Sequence, residues 1–245
     1  MSTRINLEPA FVLHTRPFRD TSLLTNVFSR NHGHLMLLAR GARSQKSPLR
    51  ALLLPFTPLL LSWVGKTDLP IISKAEIADQ QYNLQGRAIL NGLYLNELLV
   101  RLLHRHDPHP ELFSHYQNTL TSLKSPLQIT KSLRLFEKNL LMHLGYGLQL
   151  NKETNGNAVD ASNYYHFSYS VGLQKINNYE LQQFNQRALQ NNIFQGKSLL
   201  ALHQNQLDEI QTLKDAERIL QVALQELLGT KKLKSTELIV NGVIE

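Results

Sequence analysis

The first 80 residues alternate between apolar and polar positions, and this pattern predicts short β-strands. Residues 10–18 and 69–79 each predict one strand, and residues 22–42 predict a hairpin that turns at 31–33. The apolar run at 49–64 predicts one long strand, whose prolines indicate a sheet edge or a bulge. Roughly five short strands without an intervening helix are typical of a small closed barrel.

From Tyr82 onward the apolar spacing becomes helical. One helix is predicted within 84–106, a second over Glu111–Leu123, and a third from Leu127 to Leu144 with Gly145 as its C-terminal cap. The buried stripe of the third helix is predicted to comprise Ile129, Leu133, Phe136, Leu140 and Leu144. Farther along, residues 151–163 predict a polar loop, residues 164–174 a short strand pair, and residues 178–229 a second helical region.

The composition excludes several kinds of chemistry. The 245 residues include no cysteine, so disulfides, thiolate metal sites and a thiol nucleophile are ruled out. The N-terminal segment lacks the apolar core of a signal peptide, and the apolar run at 52–64 is too short to span a membrane. We therefore expect a soluble cytoplasmic protein.

The positive charge is concentrated in the first part of the chain. The formal net charge is +7, and residues 1–79 contain 10 Lys/Arg against 5 Asp/Glu. Residues 151–245 contain 9 Lys/Arg against 10 Asp/Glu. Between Asp20 and Asp68 there is no acidic residue, whereas six Lys/Arg lie there. This imbalance favours a polyanionic partner, most commonly a nucleic acid, although general solubility is the alternative.

The most concentrated basic segment is a loop that follows the predicted hairpin. Arg40, Arg43, Lys46 and Arg50 project from it, because burying unpaired charge is costly. At this position on a small barrel, cations follow the phosphates of a single strand. A solvated turn without a partner is the alternative.

Aromatic residues on the predicted strands are candidates for stacking on bases. Phe18, Phe28 and Phe56 are the possible stacking groups, but an aromatic side chain within a strand more often belongs to the core. The same reasoning assigns Trp63 to the core.

The third helix carries Lys131, Arg134 and Lys138, whose spacing places them on one face next to the apolar stripe. Apolar surface rimmed with cations suits a short acidic peptide that ends in a free carboxylate. A solvated helix face is the alternative.

The sequence predicts no catalytic site and no metal site. His104, His106 and His109 lie near Asp107, but a spacing of two residues does not place imidazoles on one helix face. The chain contains no G-x-S-x-G motif, no phosphate-binding loop and no dinucleotide-binding fingerprint. We therefore predict a protein that is not an enzyme and uses no cofactor.

Several segments together resemble the bacterial RecO family of recombination mediators. They are FVLHTRPFRDTSLLTNVFSRNHGHLMLLARGAR, LLLPFTPLLLSW, GLYLNELLVRLL, LRLFEKNLLMHLGYG and LKSTEL, in family order. The resemblance implies an α+β protein with an N-terminal OB-fold barrel and a mostly helical domain. It implies binding of single- and double-stranded DNA, annealing of complementary strands, and a nucleoid-associated location. The implied partners are RecR, in some systems RecF, RecA indirectly, and the acidic C-terminal tail of single-strand-binding protein; no membrane is implied.

The resemblance also carries over to individual residues. The barrel loop inherits a DNA-contact role, and a second basic segment near the C-terminus inherits it too: Arg40, Gly41, Arg43, Lys46, Arg50, Lys231, Lys232 and Lys234. The single-strand-binding-protein tail is assigned to Arg134, supported by Lys131 and Lys138.

One departure from the family pattern concerns zinc. Many relatives place two C-x-x-C pairs after the third helix, but residues 151–174 here contain no cysteine, and His166 alone cannot replace four ligands. We predict a small irregular insert without zinc, packed through Tyr164, Tyr165, Phe167 and Tyr169.

The predicted domains are 1–80 (barrel), 81–150 (helical), 151–177 (insert) and 178–245 (C-terminal helices packing on the helical domain). An RNA-binding barrel protein of translation, or an unrecognised hydrolase, remain the alternative functions.

Overall fold

The structure is a computed structural model that describes residues 4–66, 69–125, 128–177, 192–230 and 233–235. Its contacts divide the chain into two compact units, one formed by 1–126 together with 232–245, the other by 127–231. The predicted boundaries at 80, 150 and 177 stay a prediction. In the contact-based division, the first two long helices belong with the barrel.

The first unit contains a closed five-stranded barrel in the order β1-β2-β3-β5-β4, which confirms the predicted architecture. Its strands are β1 (Arg4–Phe18), β2 (Ser22–Ser29), β3 (Gly33–Ala39), β4 (Pro58–Val64) and β5 (Ile71–Ile77). Neighbouring strands are antiparallel except β3 and β5, whose parallel contact closes the barrel. Inward-facing residues form one core that includes Val12, Val27, Leu37, Leu61 and Trp63, so the assignment of Trp63 to the core is confirmed.

The prediction of one long strand over 49–64 is wrong in its first half. Residues Leu49–Leu52 form a single helical turn, α1, and β4 begins only at Pro58. Leu49 and Leu52 are three residues apart, a helical spacing that lets both pack against the barrel core. Pro55 cannot donate a ladder hydrogen bond, and Pro58 occupies the first position of β4, where a strand tolerates proline.

Two helices pack against the barrel within the first unit: α2 (Arg87–Leu102) and α3 (Pro110–Ser122). Their contact with the barrel is an aromatic cluster. The ring of Phe11 lies 5.4 Å from that of Phe113 and 5.1 Å from that of Tyr116, and Phe28 lies 5.4 Å from Phe113. Rings at these separations in tilted or edge-on arrangements stabilise the contact beyond the area that they bury.

A buried asparagine on α2 satisfies the backbone at an irregularity of β1. The register of β1 shifts between Val12 and His14. The side-chain amide of Asn96 donates to the Leu13 carbonyl at 3.0 Å, and the Tyr116 hydroxyl donates to Asn96 Oδ1 at 2.6 Å. Burial raises the pKa of Tyr116, so its hydroxyl stays a donor at neutral pH.

The β2–β3 turn, predicted at 31–33, is confirmed and packs tightly against the segment after α2. Gly33 has φ +68, and a Cβ there would lie 2.0 Å from the Asp107 carbonyl oxygen. The His106 amide donates to the His34 carbonyl at 3.1 Å. Only glycine fits this close backbone approach.

Residues 233–235 also belong to the first unit. The Glu97 carboxylate on α2 accepts hydrogen bonds from the Lys234 and Ser235 amides and from the Ser235 hydroxyl. Arg101 pairs with the same carboxylate at 2.8 Å. These bonds hold the pKa of Glu97 below its usual value despite an opposing effect of burial.

In the residues that the structure describes, the second unit combines three helices and a three-stranded sheet. The helices are α4 (Ile129–His143), α5 (Gly196–His203) and α6 (Ile210–Leu228), and the strands are β6 (Tyr164–Ser168), β7 (Gly172–Ile176) and β8 (Ile193–Gln195) in the order β7-β6-β8. The strand pair β6–β7 and the positive φ of +84 at Gly145 after α4 confirm two predictions.

Two predictions for the second unit need correction. The region 178–229 was expected to be helical, but β8 pairs with β6 within it, and 178–191 lies outside the described residues. A three-residue strand is too short for periodicity to detect. In α4 the buried side includes Arg134 and Glu137, whereas Ile129 and Leu144 are only partly buried.

The insert is anchored by two of the four predicted aromatic residues. Tyr165 and Phe167 are buried, and the Asp160 amide donates to the Tyr165 hydroxyl at 2.8 Å. Tyr164 is exposed, while the ring of Tyr169 lies 6.4 Å from that of Tyr146.

Over the described ranges, no group of three or more His, Asp or Glu side chains is arranged to hold a metal ion. Over the same ranges, no helix has the length and apolar content needed to cross a bilayer.

Candidate nucleic-acid interface

The basic loop leaves the end of β3 and returns to the barrel through α1. Gly41 has φ +65, which reverses the chain direction, and the fully buried Ala42 anchors the loop to the barrel core. Backbone hydrogen bonds from Ser44 to Gly41 at 3.0 Å and from Ser47 to Ser44 at 3.1 Å form successive turns. The loop is therefore an ordered segment with its cations directed outward. The exposed cations are Arg40, Arg43, Lys46 and Arg50.

The loop is tied to the β1–β2 turn. The Arg43 amide donates to the Thr21 carbonyl at 2.8 Å, and the Arg43 guanidinium donates to the carbonyls of Arg19 and Asp20, each at 3.2 Å. Arg43 thus has a structural role beside any contact with a ligand. This tie brings Arg19, an exposed residue with φ 50, into the same surface.

We call Arg19, Arg40, Arg43, Lys46 and Arg50 the cation cluster. Among the residues that the structure describes, no carboxylate forms an ion pair with any member of the cluster. Asp20 is the one acidic residue of the adjoining turn. The cluster therefore keeps nearly all of its positive charge for an external partner.

Sequence reasoning missed Arg19, although its position was predictable. In an antiparallel hairpin the turn of β1–β2 and the far end of β3 lie at the same end of the sheet. Phe18 pairs with Ser22 at that end, and Leu23 pairs with Ala39. A cation in the β1–β2 turn and a basic loop after β3 are therefore expected to lie side by side, which an analysis of periodicity alone does not detect.

A groove of about 420 Å³ lies beside the cluster. Where the structure describes the chain, the lining of this groove combines apolar, hydroxyl and cationic groups and contains no carboxylate. The lining residues are Phe18, Arg19, Thr21, Ser22, Leu38, Arg40, Gly41 and Leu69.

Of the three candidate stacking residues, only Phe18 lines this groove. Phe28 is fully buried in the aromatic cluster with α3, so it belongs to the core and is not available to stack on a base. The Phe56 ring fills the space left by the missing side chain of Gly92, whose Cβ would lie 2.7 Å from it. Phe18 is partly exposed, with the Arg19 guanidinium carbon 5.3 Å from its ring centre.

The three cations of α4 have acceptors within the second unit. Lys131 pairs with Asp208 at 2.5 Å. Arg134, only 8% exposed, pairs with Glu137 at 2.7 Å and with Glu217 at 3.1 Å. The helical spacing of these cations did not reveal their internal ion pairs and hydrogen bonds, because the acceptors lie mostly on a distant part of the chain.

Lys138 caps the end of α5. Its ammonium donates to the carbonyls of Leu202 and His203 and to Asn205 Oδ1, at 2.7–2.8 Å. A cation at a helix C-terminus satisfies carbonyls that have no intrahelical donor. Burial lowers the pKa of Lys138. Binding of an acidic peptide tail by Lys131, Arg134 and Lys138 stays a prediction. Such a tail would have to replace acceptors that these cations already contact within the protein.

The second basic segment is only partly visible. Lys231 and Lys232 lie outside the described residues, so the DNA-contact role predicted for them stays a prediction. Lys234 has an exposed side chain, and its amide bonds to Glu97.

Comparison with known proteins identifies the family. Residues 1–81 match the family described as Recombination protein O N terminal, and residues 84–237 match Recombination protein O C terminal. The chain belongs to the recombination protein O family, which confirms the resemblance stated from the sequence.

Full-length relatives agree with this assignment. The chain is 40% identical over 240 residues to DNA repair protein RecO of Coxiella burnetii (strain RSA 331 / Henzerling II), covering 98% of this chain and 100% of the relative. It is 42% identical over 231 residues to the protein of the same name from Glaesserella parasuis serovar 5 (strain SH0165), covering 93% and 92%. It is 43% identical over 236 residues to that of Actinobacillus pleuropneumoniae serotype 5b (strain L20), covering 95% and 94%. The RNA-binding and hydrolase alternatives are not favoured by these matches.

Proposed function

We propose that this protein is a DNA-repair mediator that binds single- and double-stranded DNA through the cation cluster. The observation that carries the proposal is a set of five exposed cations at one end of the barrel with no ion pair to a described carboxylate. Cations that meet phosphates release condensed counterions, which is the main source of sequence-independent affinity for DNA. Such contacts position a strand without reading its sequence.

Annealing follows from the same electrostatics. Two complementary strands repel each other through their phosphates, and a cationic surface that holds both lowers this repulsion. We propose that Lys231, Lys232 and Lys234 form a second contact for DNA. We also propose that the protein acts at the nucleoid by binding alone, without catalysis or cofactor.

The proposed protein partners are single-strand-binding protein, RecR and, in some systems, RecF, with RecA loading as the consequence. For the acidic tail of single-strand-binding protein, we propose that a tail carboxylate replaces Glu217 at Arg134. Glu217 is suited to exchange because 57% of its side chain is exposed, and a partly exposed ion pair is weak. Glu137, only 2% exposed, would keep its bond to Arg134.

The test combines DNA binding with annealing. In the loop variant, Arg40, Lys46 and Arg50 become Ala, and Arg43 is retained because it ties the loop to the β1–β2 turn. In the control variant, three exposed lysines of the second unit become Ala, namely Lys152, Lys175 and Lys214. Both variants lose the same net charge.

Affinity is measured by fluorescence anisotropy with single strands and duplexes of several sequences, and annealing is followed with single-strand-binding protein precoated on the strands. We expect the loop variant to bind every sequence more weakly and to anneal more slowly than the control. If the two variants lose affinity equally, or if only one sequence is affected, the loop is not the phosphate-binding surface.

A further inference from the structure

The groove beside the cation cluster lies on the outer face of the barrel. Residues directly opposite in an antiparallel pair point to the same face of the sheet. Thr25 and Leu37 form an inward-facing pair, so the next pair along, Leu24 and Leu38, points outward. Phe18 pairs with Ser22, two positions beyond Leu24 on β2, and therefore shares the outer face with Leu38. The aromatic ring thus projects away from the barrel core.

The walls of the groove are held in place by backbone hydrogen bonds. Arg43 ties one wall, the β1–β2 turn, to the basic loop. The Leu38 amide donates to the Pro70 carbonyl at 2.8 Å, which fixes the segment that contributes Leu69. A groove whose walls are cross-linked in this way is formed before a ligand arrives, so binding does not have to order it.

The chemistry of the groove matches a nucleotide. Phe18, Leu38 and Leu69 provide an apolar floor, and Arg19 and Arg40 provide positive charge at its edge. Thr21 and Ser22 add hydroxyl groups that donate or accept hydrogen bonds. An aromatic platform flanked by cations is the arrangement with which proteins hold single-stranded nucleic acid, since bases stack while phosphates follow the charge.

We infer that this groove is a subsite for one unpaired nucleotide, whose base stacks on Phe18 while Arg19 and Arg40 contact the flanking phosphates. The inference rests on the proposed function and deepens it, because it names the form of DNA that this end of the barrel selects. Arg19 covers the ring with an exposed cation–π contact, which is weaker than base stacking. An entering base therefore replaces the guanidinium, which turns toward a phosphate.

A duplex does not fill this subsite. In a duplex each base is already stacked and paired, and extracting it costs free energy. Phe18 therefore contributes to single-strand binding and not to duplex binding, whereas the cation cluster contributes to both. This difference separates the subsite from general attraction to phosphates.

The test replaces Phe18 and compares three probes, a single-stranded oligonucleotide, the same length with abasic sites, and a duplex. Phe18→Leu keeps apolar volume but removes the aromatic face. We expect it to weaken single-strand binding about 5- to 150-fold, the range for one stacked base. Binding of the abasic strand and of the duplex should stay as in the parent chain, and so should the salt dependence.

Two further variants guard the interpretation. Phe18→Trp keeps the platform, so it should retain affinity and show fluorescence quenching by the single strand that the parent chain, with its lone buried Trp63, does not show. Tyr164→Leu removes another exposed aromatic residue, in the second unit, and should change nothing.

Equal loss of affinity for all three probes, or no loss for the single strand, overturns the subsite. If the Phe18 variants bind all probes normally and only the variant that replaces Arg40, Lys46 and Arg50 loses affinity, the subsite is wrong but the proposed DNA binding still stands. If neither variant affects any probe, the proposed function fails as well.

Discussion

Replacing Asn96 with Leu should strongly destabilise the first unit. Asn96 is 2% exposed, and its amide joins β1 to α3 through the Leu13 carbonyl and the Tyr116 hydroxyl. Leucine has nearly the same size but no polar atom, so Asn96→Leu removes both hydrogen bonds without opening a large cavity. The Leu13 carbonyl, located where β1 shifts register, loses the donor that the structure gives it.

The magnitude follows from the two bonds. Removing one partner of a buried hydrogen bond costs about 1–3 kcal/mol, so the loss of both bonds costs about 2–6 kcal/mol. This is a large share of the roughly 5–15 kcal/mol that stabilises a typical domain. Tyr116→Phe removes only the hydroxyl and should cost about 1–2 kcal/mol. The double variant should cost much less than the sum, because without the hydroxyl one of the two losses no longer occurs.

Denaturant unfolding followed by the fluorescence of Trp63 measures this effect. Trp63 is the lone tryptophan of the chain and lies in the barrel core, so its signal reports the first unit. Asn118→Leu, at an exposed position on α3, is the matched control and should change the free energy of unfolding by less than about 0.5 kcal/mol. A similar value for Asn96→Leu, or strict additivity with Tyr116→Phe, would refute the reasoning.

Three further predictions concern other parts of the chain. Lys138→Met should destabilise the second unit by about 1–3 kcal/mol in calorimetric unfolding, because the Leu202 and His203 carbonyls lose the hydrogen bonds from the ammonium; an unchanged transition would contradict its structural role. Glu217→Gln should strengthen titrated binding of an acidic C-terminal peptide, whereas Arg134→Ala should weaken it; no change in either argues against exchange at this ion pair. Burial, with Arg105 nearby, lowers the pKa of His34, so the unfolded state binds more protons below about pH 6.5 and stability should fall as the pH is lowered from 7 to 5. The barrel of His34→Gln should lose less stability over that interval, and an equal loss would assign the pH dependence to other groups.

The barrel and the long helices were predictable because their signals are local. Strand alternation and the glycine turn at Gly33 specify the β2–β3 hairpin without reference to the rest of the chain. The helical turn at Leu49–Leu52 was missed because four residues are too few to distinguish a helical from a strand period. The short strand β8 was missed for a similar reason, since three residues carry no measurable period.

The candidate sites differ in how far the sequence could define them. The net positive charge of the basic loop was predictable because no acidic residue is close in sequence. The exposure of its cations was predictable too, because unpaired charges are rarely buried. The acceptors of Lys131, Arg134 and Lys138 lie mostly 64–83 residues away or on α6, so helical spacing could not reveal them. Grouping Arg19 and Phe18 with Arg40 required the antiparallel order of β1, β2 and β3 to be combined with the charge pattern, a step that periodicity alone does not include.

The salt dependence of single-strand binding tests the central claim most directly. The logarithm of the binding constant is measured against the logarithm of salt concentration for the parent chain, for the loop variant lacking Arg40, Lys46 and Arg50, and for the control lacking Lys152, Lys175 and Lys214. Each phosphate contact contributes about 0.7 to the slope for a single strand, so the loop variant should lose about 2 units of slope. The control should keep the parent slope. A parent slope near zero, or the same slope in all three proteins, would contradict the assignment of DNA binding to the basic loop.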